Sequence, residues 1–196
     1  MPEGIAEGIG ASVRRKEDKK YTTGKGRYTD DIKRDGQLYA FFVRSNVAHA
    51  TIKKIDVSKA LTCDGVAAIY TGDDIAADGV GGPICGWTPT NRDGSAPKEP
   101  PHPLLAHSKV RYVGDHIAVV IAESLEQARS AAEKITVDLD VLPPVVDLST
   151  AIGNTQIHDE MDDNVYFDWE LGDESATASA LESAAKIVEL TVTNNR

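Results

Sequence analysis

Five histidines, two cysteines and several adjacent aspartates are the side chains with catalytic potential, and their spacing builds none of them into a ready-made site. His49, His102, His107, His116 and His158 form no i, i+4 pair and have no cysteine at zinc-ligand spacing, so no tetrahedral metal site is encoded locally. His102 and His107 share a proline-broken loop, where a metal site is a remote reading. His116 follows a glycine turn and could line a cleft, against the commoner role of a hydrogen-bonded structural histidine. Asp30-Asp31 and Asp73-Asp74 are neighbours, which on a strand face opposite ways, so capping and turn roles outweigh a hydrolytic metal site. Gly24-Lys25-Gly26 is followed by Arg27-Tyr28 and preceded by no strand, which excludes a P-loop and leaves a flexible entry segment. Ser45 and Ser108 lack the strand–turn–helix setting of a nucleophile elbow. Trp87 sits in a long loop and is the better interface candidate, whereas Trp169 reads as a core residue.

The elements that would position these residues are plainest between Val110 and Pro144. Val110 to Val113 and Ile117 to Ala122 are β-branched runs flanking a Gly114-Asp115 turn. Ser124 with Gln127 forms a capping box, and Leu125, Ala128 and Ala132 then repeat at helical spacing. Ile135 to Val141 alternates as a strand and stops at Pro143-Pro144. Upstream, Gln37 to Arg44 and Thr51 to Val57 read as strands. Ser58 reads as the cap of a single helical turn, Val66 to Tyr70 as a strand, and Thr71 to Ile75 as a helix start. Six of the nine prolines crowd the stretch from Ala77 to Ser108, a loop long enough to suggest a functional or interface role. Downstream, Val165 to Leu171 reads as a strand, Asp173 or Ser175 as the cap of an alanine-rich helix to about Ala185, and Lys186 to Thr193 as a last half-apolar strand. Strands and helices mix without strict alternation, which predicts an α+β fold.

Composition narrows the partners. A net charge of −10 over 196 residues disfavours nucleic acid and anionic membrane, since both repel it. Arg14-Arg15-Lys16 with Lys19-Lys20 is one basic patch, interrupted by Glu17-Asp18 and read as solvated surface. At 41% hydrophobic residues the chain can bury a full core, and no apolar run reaches the length of a membrane span. Cys63 and Cys85 are too few for a disulfide framework, which points to a reducing, cytoplasmic setting.

Several phrases together resemble the amino-terminal part of the molybdenum-binding large subunit of the xanthine dehydrogenase, aldehyde oxidase and aerobic carbon monoxide dehydrogenase family. They are IGASVRRKED from Ile9, GKGRYTDDI from Gly24, FFVRSNVAHATIKKIDVSKA from Phe41 and GVAAIYTGDDI from Gly65. The longest is VRYVGDHIAVVIAESLEQARSAAEKITVDLDVLPPVVD from Val110. NVYFDWELGD from Asn164 most resembles the carbon monoxide dehydrogenase-type large chains. The family has glutamate-proline where Asp115-His116 stand and tyrosine-glutamate where Leu139-Asp140 stand, departures that weaken any inference about substrate.

The resemblance implies an α/β hammerhead domain of mixed sheet with packed helices over residues 21–147, including the loop 77–108. An irregular segment 1–20 would precede it. Residues 148–196 would form a linker and a strand–helix–strand start of the molybdopterin-binding domain, truncated. It implies a molybdenum–pterin centre in the complete subunit, with iron–sulfur clusters and FAD on partner subunits. No catalytic, cofactor-binding or metal-binding residue carries over to this chain. The resemblance therefore predicts a structural part of an oxidoreductase, inactive alone, that is either a fragment or a separate subunit docking a cofactor-bearing partner. Trp87, His102 and His116 are its candidate interface residues. The alternative is a free-standing protein- or ligand-binding module acting through the loop 77–108.

Overall fold

The computed structural model describes residues 8–9, 11, 13 and 15–192. In chain order its elements are helix α1 (Asp18–Thr22), strands β1 (Tyr39–Arg44) and β2 (Ala50–Asp56), helix α2 (Ser58–Leu61), strand β3 (Val66–Thr71) and helix α3 (Gly72–Ala77). Strands β4 (Lys109–Val110) and β5 (His116–Ala122), helix α4 (Leu125–Ala132), strand β6 (Thr136–Val141) and helix α5 (Glu174–Glu182) follow.

Two three-stranded sheets result, ordered β1-β5-β3 and β4-β2-β6. The sheet direction expected to be mixed is instead antiparallel in every described pairing. Strand β5 is central in the first sheet: Val120 lies opposite Phe41 on one side and Ile69 on the other. Paired along both edges, it satisfies its backbone without help from solvent. Ile117, Ala118, Val120 and Ala122 of this strand are buried, and its other residues are partly so.

Helix α4 begins where Ser124 accepts the Gln127 N–H, the capping geometry the spacing predicts. It packs on β1, β5 and β3 through Ala128, Ala131 and Ala132, which meet Ala118, Val120 and Ala122. Small side chains on both surfaces hold helix and sheet close together, at the cost of leaving no room for a larger residue. A second cluster, Ala50, Ala106, Val110 and Ile117, joins the first through Val43, Ile55 and Val137, so both sheets share one core. Leu125 belongs by period to the apolar face but is 54% exposed. As the first helical residue it sits at the rim.

Other expectations shift for identifiable reasons. The strand expected through Val113 ends at Val110, because the Asp115 carboxylate takes the Arg111 N–H and Gly114, with φ of 95°, donates to the Ser45 carbonyl. Ser58 is the first helical residue; Asp56 accepts both its N–H and its hydroxyl, which pulls the Asp56 pKa down to about 2. Helix α1 begins inside the segment expected to be irregular, while residues 1–7, 10, 12 and 14, including Arg14 of the basic patch, lie outside the described residues. The C-terminal strand–helix–strand reduces to α5, capped by Asp173. Residues 165–171 and 186–192 form no strand, and Thr193 lies outside the described residues. Among the described residues no free sheet edge pairs with either run, and an isolated strand leaves its own amides unpaired.

The close α4–sheet contact predicts opposite outcomes for two substitutions on one helix. Ala128→Leu should cost about 1–3 kcal/mol through overpacking. Leu125→Ala at the rim should change stability by no more than about 0.5 kcal/mol. Urea denaturation of both variants measures this, and equal effects would show that α4 does not seat on its alanines.

Candidate functional site

The proline-rich loop and the segment after β6 face one another across a groove of about 1150 Å³. Val80 to Cys85 and Glu99 to Pro103 form one wall; Ile157, His158, Met161, Asn164 and Tyr166 contribute to the other. Prolines supply rigid apolar surface on the first wall. Gly82 is needed there because a Cβ at that position would collide with the His102 carbonyl, so the two limbs of the loop touch backbone to backbone.

Charge fastens the walls together. Lys109 holds both oxygens of Asp159, at 2.5 and 2.8 Å, and draws its pKa down through that hydrogen bond. Arg111 Nε donates to the Ile157 carbonyl at 3.2 Å, and Lys98 pairs with Asp162. Arg92 reaches Glu170 at 3.2 Å and Asp168 at 3.5 Å. Its backbone N–H also donates to the Asp168 carbonyl, while Asn91 Oδ1 accepts the Asp168 N–H. Trp87 meets Phe167 and Trp169 edge-on at centroid separations of 5.8 and 5.4 Å.

His102 and His158 meet across this groove with ring centroids 6.1 Å apart. Burial holds the His158 pKa down, with Arg111 and His102 adding repulsion, and its Nδ1 is buried with no described partner. His116 is not in the groove; it begins β5 and stacks on Phe42 at 4.6 Å. His107 pairs with Asp73 at 2.7 Å, apart from His102. Asp31 and Asp74 cap the backbone at Tyr28 and Thr71, the role expected of both aspartate pairs. Trp169, expected in the core, is 42% exposed, and Trp87 is 54% exposed.

Two features escaped the sequence reading. His49 is fully buried, and its Nδ1–H donates to the Pro143 carbonyl at 2.9 Å, tying β2 to the chain beyond β6. The pairing of Arg92, Lys98 and Lys109 with acids of residues 157–170 spans at least 50 positions in sequence, so no local pattern exposes it. The remaining signal was compositional: residues 157–170 carry six acids and no lysine or arginine. Among the described residues no three His, Cys, Asp or Glu side chains converge as metal ligands. The described residues supply no donor set for a molybdenum centre, and no step of an oxidation is assigned to them.

A match to the family described as aldehyde oxidase and xanthine dehydrogenase, a/b hammerhead domain, spans residues 23–143. The chain belongs to this family. It is 38% identical over 158 residues to the nicotine 6-hydroxylase large subunit of Paenarthrobacter nicotinovorans, covering 80% of this chain and 19% of that protein. It is 34% identical over 193 residues to the carbon monoxide dehydrogenase large chain of Afipia carboxidovorans, covering 91% and 22%. The crystal structure of quinoline 2-oxidoreductase from Pseudomonas putida 86 superposes with a TM-score of 0.67 at 35% identity, over 81% of this chain and 20% of that one. The chain thus spans about a fifth of the length of these relatives, all of them oxidoreductases by name. No described helix is long and apolar enough to cross a membrane.

The His158 environment predicts a pH response. The unfolded chain takes up a proton near the ordinary value of 6.5, while the folded chain resists it. Stability is therefore complete above that value and falls as pH drops below it. Thermal unfolding across pH 7 to 5 should show this loss, and His158→Phe should reduce it; parallel profiles would show that His158 titrates normally.

Proposed function

We propose that this chain is the hammerhead part of a molybdenum hydroxylase large subunit, shaping the approach to an oxidation centre whose reactive groups lie elsewhere in the subunit. The observation that carries this reading is the family match over 23–143, joined to relatives of which the chain covers only about a fifth. One relative is named a molybdenum-binding subunit and another a complex subunit, which supports a multi-part assembly. In this reading residues 21–147 are the hammerhead and 148–196 lead into the molybdopterin-binding region. Partner subunits carry the iron–sulfur clusters and FAD. The free thiols Cys63 and Cys85 suit a reducing cytoplasm.

Trp87 and His102 on the loop, and His116 stacked on Phe42, are the proposed contacts to neighbouring parts of the assembly. Each is an aromatic ring placed at or near the surface, where docking would bury much area for little lost side-chain freedom. One observation favours a second reading, a ligand-binding module using the loop 77–108: that loop walls the 1150 Å³ groove.

Metal analysis and dye-linked oxidation assays separate these readings. The purified chain should hold no stoichiometric molybdenum and reduce no dye, and should co-purify one-to-one with the molybdopterin-binding part encoded beside it. Stoichiometric molybdenum on the chain alone would contradict the structural role, and failure to co-purify would favour the independent module.

A further inference from the structure

The groove's second wall is held mainly by charges of opposite sign sorted onto opposite segments. Among the described residues, every lysine and arginine that grips it comes from residues 92–111, namely Arg92, Lys98, Lys109 and Arg111. Residues 157–170 answer with Asp159, Asp162, Asp168 and Glu170 and carry no lysine or arginine of their own. We propose that residues 157–170 are an electrostatic strap across the groove, which ionic strength releases to open the groove while the hammerhead stays folded.

Three observations support release as a separate step. The strap forms no strand with either sheet, so lifting it breaks no ladder. Its buried apolar anchor is Met161, while Phe167 and Trp169 remain about 40% exposed against Trp87. The gripping pairs are mostly half or more exposed, Lys109 excepted, and exposed pairs weaken with salt. Screening shortens from roughly 8 Å at physiological ionic strength to roughly 3 Å at 1 M. By contrast, the alanine-packed core contains no charge for salt to screen.

The two tryptophans of the chain report on the strap, since Trp87 lies on the loop and Trp169 on the strap. Their edge-on contact at 5.4 Å should give an exciton-coupled circular-dichroism band. In the 196-residue chain, raising NaCl to about 1 M should abolish that band and red-shift tryptophan emission, with the backbone signal unchanged. Arg92→Glu should lose the band at low salt, and adding Asp168→Arg with Glu170→Arg should restore it. A band that survives both high salt and Arg92→Glu, or that disappears only with global unfolding, overturns the proposal.

Discussion

The seating of α4 on β5 is the contact on which the rest of the molecule depends. Strand β5 is flanked by β1 and β3, and α4 covers the same sheet through alanines meeting alanines and valine. Such an interface gains its stability from closeness rather than from bulk. It tolerates little change of volume and leaves the flanking loops free to vary. The long loop joins this platform to the second sheet: it departs after α3, which follows β3, and returns at β4, and the strap comes after β6.

How legible each part was depends on how local its causes are. The α4 region was readable because Ser124, Gln127, the alanine spacing and Pro143-Pro144 all act over short stretches of chain. Extending the strand by propensity through Tyr112-Val113 overshot, because the Asp115 carboxylate captures the Arg111 amide four positions away. Residues 165–171 alternate like a strand, yet strand formation needs a neighbour, and propensity cannot supply one. The groove was hidden for a related reason. His102 and His158, or Arg92 and Glu170, are separated in sequence by the whole β4–β6 unit.

Two kinds of cohesion therefore coexist in one chain. The hammerhead is held by apolar packing and paired strands, which salt does not weaken and which resist local opening. The groove is held by solvent-exposed ion pairs, a few backbone hydrogen bonds and aromatic edges, contributions that are individually small. In the proposed role, as a scaffold within a larger oxidoreductase, the fold benefits from this division. Its frame stays fixed while the surface nearest its aromatic contacts can adjust.

Native-state amide hydrogen exchange tests this division most directly. The amides of Val119, Val120 and Ile121 in β5 should exchange only through global unfolding, whereas the Asp168 amide on Asn91 should exchange far faster through local opening. Equal protection at Asp168 and in β5 would contradict the account, because strap and frame would then open as a single unit.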